Sequence, residues 1–347
     1  MKKLFTLIIL MTFSFYLSHA TVRTVSNHPA GGSQYSSLEA AYNASSNGDT
    51  LLVEGTDIVY FLSCTGWAKS LTVIGIGFRP DKQIPMRTKI RKMDCWNEFR
   101  MHPGSSASKF YGIEFTNPVI THEGAVSNMV FEDCKFSSYF SFGGAATNFA
   151  FRNCIFDRDN EMNLGFGYAG SATGTISNCV FDGYILGYSS STSSVTIDHC
   201  VFLGASGNFD ALHYALIRNN IFMNSFPGGT FNSTYTNNIC RVAGTFPPTP
   251  ANGNTASGNI ENTNPLFVNV LVLHRTVDDY NLLAGSPAIG AAYDGTDMGV
   301  HGGFTGFSES GEVLINPIIR EVSIVNTSVA PNGTLNVLIH ATKPDND

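Results

Sequence analysis

The stretch "TISNCVFDG", residues 175–183, is rewritten along the chain as "TIDHCVFLG" (196–204), "AFRNCIFDR" (150–158) and "VFEDCKFSS" (130–138). Aligned on the closing phenylalanine, the units fall at Phe115, Phe136, Phe156, Phe181, Phe202 and Phe222, spaced 21, 20, 25, 21 and 20 residues apart. Cys240 continues the series 18 residues later. Five residues before each closing position stand Phe110, Phe131, Phe151, Ile176, Ile197, Ile217 and Tyr235, all large and apolar. Three before stand Gly112, Asp133, Asn153, Asn178, His199, Asn219 and Asn237, and two before stand Ile113, Cys134, Cys154, Cys179, Cys200, Asn220 and Asn238. Repetition at a fixed period of this length marks a repeat architecture, in which one supersecondary unit buries its apolar face only against the next.

Alternate residues of a strand share a face. The adjoining Asn and Cys columns break that alternation, so the chain is expected to bend there, with both columns turned inward. Asparagine tolerates left-handed backbone and pairs with polar neighbours at bends. Each unit therefore reads as strand, Asn bend, strand and variable loop, coiled in parallel on the next. Stacked cysteines on adjacent coils lie about 4.8 Å apart, and buried Cys packs as a small apolar side chain. Cys134, Cys154, Cys179 and Cys200 are read as free thiols filling the interior.

These columns resemble the right-handed parallel β-helix of the pectate-lyase-like superfamily. Two flanking stretches carry the resemblance further. "YSSLEAAYNASSNGDTLLVEG" (35–55) resembles its capping segment, a short helix with Leu38 and Ala41 inward leading into the first strand. "LTVIGIG" (71–77) resembles its first full coil. "NPLFVN" (264–269), "DYNLLAGSPAIGAA" (279–292) and "DMGVHGG" (297–303) resemble the terminal signature of exported bacterial β-helix proteins. The fold expected is thus all-β, a single-stranded solenoid over 21–303 with an N-terminal capping helix. Residues 304–347 read as a β-hairpin-like segment turning around "APNG" (330–333), serving as a cap on the last coil or as an attachment element.

Residues 1–20 read as a secretory signal peptide: Lys2 and Lys3, an apolar run, then Ser18-His19-Ala20. The run is too short for a membrane span, and no later stretch reaches the ~18 apolar residues that one needs. Export to the medium or the cell surface is the expected localisation. Without Lys2 and Lys3 the chain carries 18 basic against 27 acidic side chains, a balance that disfavours nucleic acid and anionic membranes as partners. Seven Cys cannot all pair within one chain; Cys64 and Cys95 lie outside the column and are the candidates for one disulfide.

The outward columns are where chemistry is expected. Four residues before the closing phenylalanines stand Glu132, Arg152, Asp198 and Arg218. Opposite charges on adjacent coils read as stabilising pairs, Glu132 with Arg152 and Asp198 with Arg218. The catalytic alternative is Arg218 as a base, which the resemblance to lyases implies. One residue after the closing phenylalanines, Asp157 and Asp182 are expected neighbours, with Asp159 and Glu161 nearby. Such carboxylates share a proton or bind a cation, and calcium held by Asp157, Asp159 and Asp182 is the candidate that the resemblance implies. Paired carboxylates also serve glycoside hydrolysis. The competing reading is a solvated turn neutralised by Arg158.

"VTIDHC" (195–200) resembles a pectate-lyase stretch, but Thr196 stands where tryptophan is expected, and His199 falls in the bend column, where an interior ladder role suffices. Tyr139, Phe140, Phe142, Phe166, Tyr168, Tyr184 and Tyr188 lie in the stretches after the closing phenylalanines. Tyr168, Tyr184 and Tyr188 are the candidates for stacking on sugar faces; the alternative is that these rings pack the loops down. Two functions follow: a monomeric, exported, glycan-binding or surface-contact scaffold without catalysis, or a polysaccharide lyase or glycoside hydrolase acting on an acidic polysaccharide with calcium as a candidate cofactor.

Overall fold

The computed structural model describes residues 20–29, 32–62, 66–78, 86–92, 97–122, 124–158, 161–166, 171–187, 194–205, 207–270, 278–304, 306–311, 318–324 and 337–342. Residues 1–19 of the expected signal peptide, Cys64, Cys95, Asp159, Tyr168 and Tyr188 lie outside them. The chain coils through about nine turns of an all-β parallel solenoid. Strands of successive coils pair in parallel and in register, Phe131 with Phe110 and Phe151, and Phe181 with Phe156 and Phe202.

The bend column takes the backbone conformation expected of it. Gly112, Asp133, Asn153, Asn178, His199, Asn219 and Asn237 all have φ between 51° and 62°. That left-handed region is cheap only for glycine and for short polar side chains. One residue there in each coil turns the first sheet of twelve strands into the second of nine.

The expectation that each unit ends in a loop is corrected. The stretches after the closing phenylalanines carry a third sheet of six described strands, from Phe99–Met101 to Phe209–Asp210. Its strands are short, and their apolar residues change position from coil to coil, so the columns aligned on phenylalanine do not show them. Phe140, Phe142 and Phe166 point from this sheet into the core. They meet two aromatic stacks, Phe110–Phe131–Phe151 and Phe115–Phe136–Phe156–Phe181–Phe202–Phe222. Ring centroids in the longer stack are 4.5–5.4 Å apart, set by the coil spacing. Each fully buried ring contributes about 1.5–3 kcal/mol by area.

Cys134, Cys154, Cys179 and Cys200 are free and buried beside these stacks. Where the Cys column gives way to asparagine, amides pair inside the solenoid: Asn220 Nδ2 donates to Asn238 Oδ1, and Asn238 Nδ2 to Asn259 Oδ1, both at 2.9 Å. The interior amide ladder thus sits one residue after the column assigned to it from sequence.

The bend residues themselves point outward. Asn153, Asn178 and Asn237 donate to backbone carbonyls of the tail, at Gly306, Val300 with Gly302, and Ala291. The tail runs back along the solenoid, from the coil of Asn237 to the second coil, where Phe78 N donates to Ser310 O at 3.0 Å. Beneath it lies an aliphatic row on the outer face of the second sheet, Ile155, Val180, Val201, Ile221 and Ile239. Tyr280, Met298, Val300 and Phe307 of the tail cover that row.

At the N-terminal end, Val22–Val25 precedes the helix and pairs in parallel with Thr50–Val53, so the strand after the helix is the second rather than the first. The helix Leu38–Ala44 buries Leu38, Ala41 and Tyr42. Ser37 caps its start, accepting from Ala40 N. Lys69 Nζ closes its end, donating to the carbonyls of Tyr42, Asn43 and Ser45. Ile318–Ile324 and Val337–Thr342 form an antiparallel pair.

Candidate functional site

Asp157 and Asp182 stand at neighbouring positions, since Phe156 pairs with Phe181 and Asp182 N donates to Phe156 O. Their environments differ. Asp182 is fully buried, whereas Asp157 is partly exposed and lies 2.6 Å from Lys135 Nζ of the preceding coil. As arranged, the two carboxylates do not open together onto solvent. Among the described residues no group of three or more His, Cys, Asp or Glu side chains comes together to hold a metal ion.

Lys135 was missed by sequence reasoning, although a signal existed. It stands immediately before a closing phenylalanine, in a column that reads Glu114, Lys135, Ile155, Val180, Val201, Ile221 and Ile239. The column is charged at its first two positions and aliphatic at the rest. Glu114 accepts from Ser137 Oγ at 3.1 Å and lies 3.5 Å from Lys89 Nζ. Lys89, Glu114, Ser137, Lys135 and Asp157 therefore form a polar patch on adjacent coils of the second sheet.

Around the corner from Asp157, Arg158 lies over the ring of Tyr139, 5.1 Å from its centroid, and is ion-paired with Glu161. Tyr184 lies beside this group: its N–H donates to Glu161 O, and it pairs with Met162 at the start of the third sheet. Tyr139 and Tyr184 are both half-buried. Burial raises the Tyr139 hydroxyl above its ordinary pKa, and the nearby Glu98 charge adds to this.

Arg218 is held by Asp198, with Nε and Nη2 2.9 and 2.7 Å from Oδ2. Arg152 and Glu132 pair at 3.3 Å. Both pairs are those expected from the column. His199, assigned an interior place from sequence, instead faces the tail. Its Nδ1 lies 2.9 Å from Asp198 Oδ1 and its Nε2 3.2 Å from Thr296 Oγ1. This acid–imidazole–hydroxyl order resembles a nucleophilic triad, but Thr296 Oγ1 donates to Asp294 Oδ1 at 2.6 Å and accepts from Gly303 N at 2.8 Å. An oxygen so committed fastens the tail rather than attacks a substrate.

No family model matches the sequence, and no curated protein matches it. Among solved structures, the crystal structure of pectate lyase Pel9A superposes with a TM-score of 0.51 at 12% identity, covering 82% of this chain and 96% of that chain. The fold is that of pectate lyase. At this identity the likeness speaks for the backbone path of a right-handed parallel β-helix and leaves activity to the side chains. On this pectate-lyase-like solenoid, the described outer side chains offer an aromatic and charged ledge at Tyr139, Arg158, Glu161 and Tyr184, with the Lys135–Asp157 pair beside it. No described helix is long and apolar enough to cross a membrane.

Proposed function

We propose that the chain is an exported polysaccharide-binding β-helix whose ledge at Tyr139, Arg158 and Tyr184, with Tyr168 and Tyr188 nearby in sequence, receives a glycan laid along the solenoid axis. The observation that carries this reading is the Arg158 guanidinium lying over Tyr139, with Tyr184 on the same flank. The half-buried Tyr184 ring offers a face to sugar C–H groups, and Arg158, braced on the Tyr139 ring, reaches hydroxyl or carboxylate oxygens. The coil spacing of about 4.8 Å is close to the advance per residue of an extended polysaccharide, so successive sugars meet successive coils.

Binding is favoured over catalysis because the outward bases are paired. A lysine or arginine that abstracts a proton must first have lost its own. Lys135 is ion-paired with Asp157, and Arg218 with Asp198. The test is affinity electrophoresis of the mature protein through gels containing neutral or acidic polysaccharides. At least one polysaccharide retards the wild type, and Tyr139→Ala/Tyr184→Ala weakens that retardation about tenfold, roughly 1.4 kcal/mol. Equal retardation of both proteins, or none in any gel, rejects the ledge.

A second reading is favoured by the amine at Asp157: a lyase or hydrolase using Asp157, Asp182 and Arg218, acting on an acidic polysaccharide. Appearance of unsaturated uronate ends or new reducing ends, abolished in Asp157→Ala, selects it. Calcium calorimetry on wild type beside Asp157→Ala/Asp182→Ala separates a cation-dependent site at Asp157, Asp159 and Asp182 from a metal-free one.

A further inference from the structure

Coils enter the first sheet through a second bend. Lys109, Val130, Ala150, Leu216, Thr234 and Thr255 stand in register along that sheet. Two residues before them come Ala107, Asn128, Asn148, Tyr214, Asn232 and Gly253, all with φ between 50° and 78°. Glycine and asparagine suit such backbone, whereas a bulky ring is strained there. Tyr214 is also 42% exposed, so burial does little to offset that strain. The corner around it is strained as well. Among the described residues, five that are neither Gly nor Asn, Asp or His take a left-handed φ, and three of them, Ala211, Tyr214 and Thr249, meet here. Tyr214 N donates to Phe231 O, Asn232 N to Asn252 O, and Asn252 N to Thr249 O. Strain retained at an exposed side chain points to what that side chain does rather than to what it packs against. We infer that Tyr214 is the platform of a second glycan site, one that takes a neutral sugar.

The neighbouring residues are arranged to hold this ring in place. Leu212–His213 pairs in parallel with Thr230–Phe231. Leu212 and Thr230 are buried, so His213 and Phe231 turn outward, where their rings stack at 4.6 Å and 12°. That stack fixes the residue immediately before the bend. The Tyr214 ring lies 6.1 Å from the His213 ring at a 42° tilt, so its faces are not taken up by the stack. Asp210 is exposed one bend earlier, before Ala211, and Asn232 is the exposed neighbour of Tyr214 in the bend column. Among the described residues, the side chains of Asp210, Tyr214 and Asn232 have no hydrogen-bond partner. A pyranose has an apolar C–H face for the ring and a rim of hydroxyls for a carboxylate, a phenol and an amide.

Charge selects the class of sugar. From His199 to Ile260 the sequence has only three charged side chains, Asp210, Arg218 and Arg241. Arg218 is held by Asp198, and Arg241 Nε donates to Met223 O at 2.9 Å. The corner thus presents one carboxylate and no free cation, which repels a uronate or sulfated unit and leaves hydroxyls as its hydrogen-bonding partners. The ledge at Arg158 has the opposite character. The two sites share no residue, and the inference at Tyr214 stands whether or not the ledge binds.

The bend column supplies the test. Tyr214→Asn installs the residue that serves at Asn128, Asn148 and Asn232, removing the ring while relieving the backbone. The full mature chain is run through gels containing galactomannan, xyloglucan or dextran, and through gels containing polygalacturonate. At least one neutral polymer is expected to retard the wild type, with Tyr214→Asn weakening that retardation about tenfold and Tyr139→Ala/Tyr184→Ala preserving it. Migration through polygalacturonate is expected to be the same for Tyr214→Asn and the wild type. In urea melts the midpoint of Tyr214→Asn should equal or exceed that of the wild type. The inference is overturned if no neutral polymer retards the wild type, or if Tyr214→Asn is retarded just as strongly. A change in the polygalacturonate gel overturns the neutral class, and a lower midpoint shows instead that the ring serves the fold.

Discussion

Asp133 occupies a bend position that the following coils mostly fill with asparagine. The difference of one atom is costly. Its side chain is almost wholly buried, and Oδ1 has no hydrogen-bond partner. Burial pushes its carboxyl well above the usual range; the Glu132 charge adds to this, and Asn153 opposes it. The folded state therefore holds the proton more tightly than the unfolded chain. The stability this group contributes is present below the unfolded value, about 3.9, and is lost as pH rises through the raised folded value. Asp133→Asn is expected to stabilise the protein by about 1–3 kcal/mol at about pH 8, because it removes the need to bury a carboxylate or to hold its proton there. The gain should disappear near pH 3.5. Urea melts of both proteins at the two pH values check it, and an equal gain at both would refute the assignment. Asp198 shows the opposite behaviour: burial works upward, yet hydrogen bonds from His199 and Arg218 hold its carboxyl below the usual range.

The aromatic stacks and the cysteine column belong to the element. Phe181 lies between Phe156 and Phe202 at 4.5 and 5.0 Å. Phe181→Ala leaves a gap that in-register neighbours on both sides cannot close. It is expected to cost about 3–5 kcal/mol, read from the denaturation midpoint, with Phe181→Leu costing less. The thiols beside the stack are sealed, and burial raises those of Cys134, Cys154 and Cys179 well above their ordinary value. A thiol reagent should leave these three untouched in the native protein and modify them only after denaturation. Native reaction on the scale of minutes would show that the coils open. These two columns were legible in the sequence because side chain and stacking partner recur at one fixed spacing. The third sheet was not, because the 25-residue unit and the short strands shift its apolar positions relative to the phenylalanines.

For the whole molecule, the returning tail decides which outer surfaces remain open. It covers the aliphatic row from Ile155 to Ile239. Val300 lies at this contact, fully buried. Val300→Asp places a carboxylate between tail and sheet and is expected to cost more than about 2 kcal/mol. It should also expose residues 289–311 to proteolysis while the stacked coils remain protected. Simultaneous loss of both would instead make the tail part of one folding unit with the solenoid. The pairing of Arg218 with Asp198 could be foreseen, since both stand on strands in register. The engagement of His199 with Thr296 could not, since 97 residues separate them.

By itself, the sequence determined the solenoid: a bend residue, a small interior residue and a phenylalanine in fixed order, repeated at the length of one coil, can bury their apolar faces only against copies of themselves. It also determined the capping helix and the charge pairs along the strands, because each depends on local periodicity or on the register that periodicity imposes. Only the tertiary structure decided that the bend asparagines face outward, that Lys135 stands over Asp157, and that the tail seals one half of a sheet. Those outcomes depend on where a nonrepeating segment lands, and its landing is chosen by the whole surface it covers rather than by any motif within it.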